Sequence, residues 1–149
     1  MNRREGRRLD RPAHQDQQVP LLSLQVGFQP GVPIQLGAEL QRLAQLCIKY
    51  DILVIADEVY DCLTFDGQEH IRIASIEGMW ERTLTIGSAG KTFSCTGWRV
   101  GWIVGAPHLV APAMAAHVRI TFSVNSASQE GAAIGLEQAS AHRFFETQR

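Results

Sequence analysis

Chemistry that needs a primary amine has two candidates in this 149-residue chain, Lys49 and Lys91, because the other 12 basic residues are arginine. Lys91 stands in Ser88-Ala89-Gly90-Lys91-Thr92, among small residues and hydroxyls, with Ser88 three positions before it and Arg99 eight after. Further upstream an apolar run closes on Asp57-Glu58-Val59-Tyr60. Together these supply an amine for a Schiff base, a carboxylate for a ring nitrogen, a phenol, and a hydroxyl plus a guanidinium for a phosphate. That is the set pyridoxal 5'-phosphate requires. Each residue also has a plainer reading: a surface lysine, a turn or cap aspartate, a core tyrosine, an arginine paired with a surface carboxylate. Their common offsets favour the chemistry.

Other readings fall to spacing and charge. Gly87-Ser88-Ala89-Gly90-Lys91-Thr92 is too short for a phosphate-binding P-loop, whose first glycine would have to stand where Thr85 does. The Gly97, Gly101, Gly105 spacing accompanies Arg99 and two tryptophans, so close strand packing explains it better than a helix pair in a membrane. The cysteines Cys47, Cys62 and Cys95 form no CxxC pair, so neither a disulfide framework nor a zinc site is indicated. A net charge of −1 gives no electrostatic reason for a nucleic-acid or membrane partner. His70, His108, His117 and His142 have no partner at useful spacing and are read as solvated or structural. Trp80, Trp98 and Trp102 are read as core or interface residues.

The elements that must position these groups alternate. Leu40, Leu43, Ala44, Cys47 and Tyr50 recur at helical spacing over Ala38 to Tyr50, with Glu39 early and Lys49 late to match the helix dipole. Ile52 to Ala56 is an apolar run without alternation, the pattern of a strand covered on both faces in a parallel sheet. Thr83 to Ile86 and Arg99 to Val104 read as further strands, closed by Gly87-Ser88 and Gly105. Helices are expected from Pro107 to Ile120 and from Ser128 to Ala141. This order predicts an α/β sheet with its ligand at the carboxyl ends of the strands, where Asp57 and Ser88 lie. Residues 1 to 36 differ: Met1 to Gln18 is charged and amide-rich, and Gly27, Pro30, Gly31 and Pro33 interrupt the remainder, so no packed structure is expected there.

The two segments Ile55-Ala56-Asp57-Glu58-Val59-Tyr60 and Ser88-Ala89-Gly90-Lys91-Thr92-Phe93-Ser94-Cys95-Thr96-Gly97-Trp98-Arg99-Val100-Gly101-Trp102 resemble the cofactor segments of class I/II aminotransferases, the fold-type I pyridoxal enzymes. Within that family, residues 78–87 are similar to kynurenine/glutamine transaminases, and Thr121-Phe122-Ser123-Val124-Asn125 to bacterial methionine-type aminotransferases. The resemblance implies that Lys91 carries the cofactor and shuttles protons, Asp57 pairs with the ring nitrogen, Tyr60 donates to the phenolic oxygen, and Ser88 and Arg99 hold the phosphate. It implies a partial three-layer α/β large domain with a mainly parallel sheet over residues 37–149. Amino acid and 2-oxo acid substrates and a homodimer are implied as well.

The family's phosphate-binding turn and ring-stacking aromatic are not recognisable, and Phe28-Gln29-Pro30-Gly31-Val32-Pro33 shares little with its Asn-Pro-rich loop. The chain is therefore read as a central piece of a transaminase, with residues 1–36 as unrelated sequence. A cysteine-conjugate β-lyase on the same scaffold and a catalytically inactive fragment are the alternatives. With an odd cysteine count, no bilayer-length apolar run and no signal-peptide core, the expected location is the cytoplasm.

Overall fold

The structure, a computed structural model, describes residues 21–25, 36–65 and 67–147. A four-stranded sheet runs in the order β1 (Leu21–Gln25), β2 (Leu53–Asp57), β3 (Thr83–Ser88), β4 (Gly101–Gly105). β1 and β2 pair in parallel, as do β2 and β3. The first crossover carries helix α1 (Leu36–Lys49), and the second carries two 3-10 turns, Ile73–Ser75 and Trp80–Arg82. Helices α2 (Ala89–Thr92), α3 (Pro107–Ile120), α4 (Ser126–Ala139) and α5 (Phe144–Thr147) complete the described residues. None of these helices is long and apolar enough to cross a membrane.

Strand alternation divides β2 into two kinds of residue. Val54 and Ala56 are buried and form one core with Leu40, Ala44 and Cys47 of α1 and with Ile73 and Met79 of the second crossover. Leu53, Ile55 and Asp57 point the other way and are half-buried. α1 is helical because its apolar residues recur every three or four positions, and it ends where Asp51 takes a left-handed conformation (φ 50°). Arg82 ties that end to the second crossover. Its guanidinium donates to the carbonyls of Gly78 (3.2 Å), Cys47 (3.4 Å) and Ile52 (3.4 Å), and pairs with Asp51 at 3.0 Å.

The sheet is mainly parallel, as expected; its one exception is β4, which runs antiparallel to β3, with Ser88 opposite Gly101 and Leu84 opposite Gly105. The stretch joining these strands holds only α2 and a 3-10 turn, Thr96–Trp98, so it reverses the chain at the same end of the sheet. Arg99 takes a left-handed conformation (φ 56°) just before the strand, which delays its start to Gly101. One expectation needs correction: Leu21–Gln25 is a strand in register with Leu53–Asp57, where the sequence predicts no packed structure. A short run next to Pro20 carries little pattern of its own, and pairing with β2 supplies what its sequence lacks. The charged stretch Met1 to Gln18 and the loop Phe28 to Pro33 lie outside the described residues.

The Arg82 bonds separate a buried contribution from an exposed one. Arg82→Ala removes a donor from three carbonyls, of which Cys47's keeps the Ile52 N–H, and should cost about 1–2 kcal/mol in a denaturant titration. Asp51 is 85% exposed, so Asp51→Asn, which keeps the tolerance for positive φ, should change stability by less than about 1 kcal/mol.

Candidate active site

The β2–β3 register builds the site. Asp57 lies beside Ile86, so the two share a face, and Ser88, two residues beyond Ile86, falls on that face as well. The ladder continues one step past the strand, where the Glu58 N–H donates to the Ile86 carbonyl at 3.1 Å. Asp57 ends β2 with its Oδ1 buried and without a hydrogen-bond partner among the described residues. A buried, unpaired carboxylate oxygen is costly, and it can accept a hydrogen bond from a ligand carrying a cationic N–H.

Ser88 ends β3 and occupies the N-cap position of α2, yet its hydroxyl makes no capping bond and stays available. Lys91 follows in that single turn with an exposed side chain, and its Nζ lies 5.6 Å from the centroid of the half-exposed Tyr60 ring. Ala89, Gly90 and Thr92 around it are buried, and the Thr96 hydroxyl donates to the Gly90 carbonyl at 3.2 Å. A side chain at Gly90 would crowd the Thr96 backbone at 3.0 Å. The lysine therefore projects from a fixed turn. Arg99 is exposed and makes no ion pair among the described residues, only a long bond from Nη1 to the Thr96 carbonyl, 3.4 Å. It lines an open groove of about 680 Å³ with Trp98, Gly101, His117, Thr121 and Asn125. Asp57, Tyr60, Ser88 and Lys91 gather at the carboxyl ends of β2 and β3, and none of them lines that groove.

Two tryptophans brace the loop. Trp102 lies across Gly87, where an added Cβ would fall within its indole, and Trp98 lies against Gly131 of α4, where a Cβ would come within 2.6 Å of the ring. Trp98 remains 48% exposed and Trp80 44%.

Sequence spacing missed a polar cluster beneath the turn. His70, read as lacking a partner, places Nε2 3.0 Å from Oε2 of Glu58, a residue 7% exposed. Arg72 Nε lies 3.7 Å from the same carboxylate, and Arg72 Nη2 lies 2.6 Å from Asp61. Twelve residues separate Glu58 from His70 across a loop of no regular period, so no pattern reveals the pair. Burial pushes the Cys62 thiol up to about 11; its hydrogen bond to Asp61 and that carboxylate's charge add to the shift, and Arg72 opposes it.

The chain matches the family "Aminotransferase class I and II" over residues 37–149, and it belongs to that family. It is 50% identical over 109 residues to a kynurenine–oxoglutarate transaminase of Dictyostelium discoideum, a match covering 72% of this chain and 25% of that protein. Its fold superposes on N-succinyldiaminopimelate aminotransferase from Mycobacterium tuberculosis with a TM-score of 0.73 and 36% identity, covering 82% of this chain and 32% of the other. YbdL of Escherichia coli, for which a methionine aminotransferase function is identified, gives 0.74 and 32%, covering 83% and 32%. The chain thus spans about a quarter to a third of these relatives' lengths. Both structural matches cover more of the chain than residues 37–149 make up.

The raised Cys62 value fixes a pH window. The folded state favours the protonated thiol, so this group contributes stability below the ordinary value of 9.0, and the contribution fades as pH climbs towards 11. At pH 8, Cys62 should be alkylated by iodoacetamide roughly a hundredfold more slowly than a thiol of ordinary pKa. Asp61→Asn should speed that reaction, as read by peptide mass spectrometry.

Proposed function

We propose that these residues form part of the pyridoxal 5'-phosphate site of a transaminase, which moves an amino group between an amino acid and a 2-oxo acid. The observation that carries this reading is the buried, unpaired Oδ1 of Asp57 on the face and at the end of the sheet that Ser88 shares. Family membership and the kynurenine–oxoglutarate transaminase relatives support it. In this reading the protein works as a homodimer in the cytoplasm, and its free cysteines suit a reducing compartment.

The cofactor supplies an aldehyde that condenses with amines and a ring that, when protonated, draws in electrons released at a substrate carbon. The chain's residues make that chemistry selective. Asp57 would hold a proton on the ring nitrogen through its buried, unpaired Oδ1. Tyr60 would donate to the phenolic oxygen, and Ser88 and Arg99 would bind the phosphate. Lys91 would fasten the cofactor through its amine; once freed by substrate, its Nζ would remove the proton from the substrate Cα and deliver a proton to the carbon on the other side of the amino nitrogen. It serves first as base, then as acid.

Mixing the chain with pyridoxal phosphate, reducing with borohydride and mapping peptides should place the label on Lys91; label confined to Lys49 would overturn the assignment. Arg99→Ala should weaken pyridoxal phosphate binding roughly ten- to a hundredfold while leaving that of phosphate-free pyridoxal unchanged, since a charged hydrogen bond is worth about 1.5–3 kcal/mol. Absorbance titration with both aldehydes reads the difference.

A further inference from the structure

Tyr60 sits in a turn bounded by two acids, and both acids meet one arginine. Glu58, before the turn, is 6% exposed at its side chain; Asp61, after it, is 23% exposed. Arg72 reaches Glu58 through Nε at 3.7 Å and Asp61 through Nη2 at 2.6 Å, and His70 approaches Glu58 at 3.0 Å from the same segment. Cys62, the other polar neighbour, donates its S–H to Asp61 at 3.3 Å. Main-chain bonds complete the frame: Asp61 N–H to the Glu58 carbonyl at 3.1 Å, and Leu63 N–H to the Tyr60 carbonyl at 2.9 Å.

The frame is anchored at its far side. Ile73, next to Arg72, is 1% exposed and belongs to the α1–β2 core, and the Ser75 hydroxyl donates to the Arg72 carbonyl at 2.7 Å. A line of contacts therefore runs from the core through Ile73 and Arg72 to both ends of the Glu58–Asp61 turn. Tyr60 lies inside that turn with the Lys91 amine over its ring. A guanidinium suits this task because its planar fork can hold two carboxylates in one geometry, whereas an ammonium is a single point.

We propose that Arg72, working with His70 and Glu58, is a positioning residue that holds the Tyr60 ring beneath the Lys91 amine. Among the described residues Arg72 makes its ion pairs with Glu58 and Asp61, not with the five residues assigned to the cofactor; it acts through the turn. The proposal gives the ion cluster a role in the site of the proposed function and rests on that reading, but the tyrosine–lysine geometry can be tested without any cofactor.

The chain contains two lysines, which makes a direct experiment possible. Lys49 Nζ, at the end of α1, lies 5.1 Å from the centroid of Tyr50 and serves as an internal reference. Competitive acetylation with trace acetic anhydride, read by peptide mass spectrometry, gives the Lys91 to Lys49 ratio. Loss of the ring under the amine should raise that ratio about two- to fivefold, the range of a partly exposed cation–π contact. Tyr60→Ala should raise it, Arg72→Ala should raise it by a similar factor, and the double variant should show no further increase. Independent, multiplying effects in the double variant, or an unchanged ratio in Arg72→Ala, would overturn the proposal. Should Arg72→Ala not fold by circular dichroism, Asp61→Asn cuts only the outer arm and is judged by the same criteria. Borohydride trapping of pyridoxal phosphate on the same variants separates the two ideas. A ratio that behaves as expected with no label at Lys91 retains the positioning role and removes the cofactor reading, whereas label at Lys91 with a ratio indifferent to Arg72 does the opposite.

Discussion

The parallel register of β2 on β3 is the constraint on which the site depends. With Asp57 beside Ile86, the carboxylate that closes one strand and the hydroxyl that closes the next share a face, and the turn bearing Lys91 starts where both strands stop. A slip of one residue would send Asp57 to the side that Val54 and Ala56 occupy, away from the face that Ser88 shares. The buried pattern of β2 prevents that slip, since Val54 and Ala56 must meet α1. Hydrophobic burial on one face thus sets the electrostatics of the other.

β4 adds a second constraint. Because it returns antiparallel, Gly101 lies opposite Ser88, and the whole stretch between them becomes a loop fastened at both ends to one end of the sheet. Gly87 admits the Trp102 indole, and Gly131 admits Trp98. Both glycines are small for the sake of a tryptophan, and both tryptophans bear on the loop that carries Lys91 and Arg99. Placing small residues in the frame lets the chemical residues stand on a stiff support.

Much of this was legible in the sequence because the signals were local. The period of α1, the unbroken apolar run of β2, Pro107 opening α3, and the offsets among Ser88, Lys91 and Arg99 all lie within windows of a few turns. The direction of β4 was not legible, since Arg99 to Val104 reads the same whether a strand runs parallel or antiparallel; only the shortness of the connection decides it. β1 escaped for a different reason, its five residues being strand-forming through their partner rather than through their own pattern. His70 escaped because its partner Glu58 sits behind a loop, where contacts follow no period. The Arg99 groove likewise joins the 97–101 loop to residues of α3 and the start of α4, a juxtaposition that spacing cannot supply.

Asp57 and Glu58 show how one peptide step can sort two like residues into different roles. Glu58 and the Oδ1 of Asp57 are withdrawn from water and carry the cost of desolvation. Glu58 meets that cost internally, its Oε2 facing His70 and Arg72. Asp57 has one oxygen with no partner among the described residues. A paired acid contributes a fixed turn, whereas a buried unpaired oxygen can accept a cationic N–H on binding. The alternation of strand residues alone would put adjacent side chains on opposite sides; here the Glu58 N–H still bonds to Ile86, so the alternation persists one residue past β2. The unpaired carboxylate and its paired neighbour are consecutive, so the turn that Glu58 fixes begins where Asp57 ends.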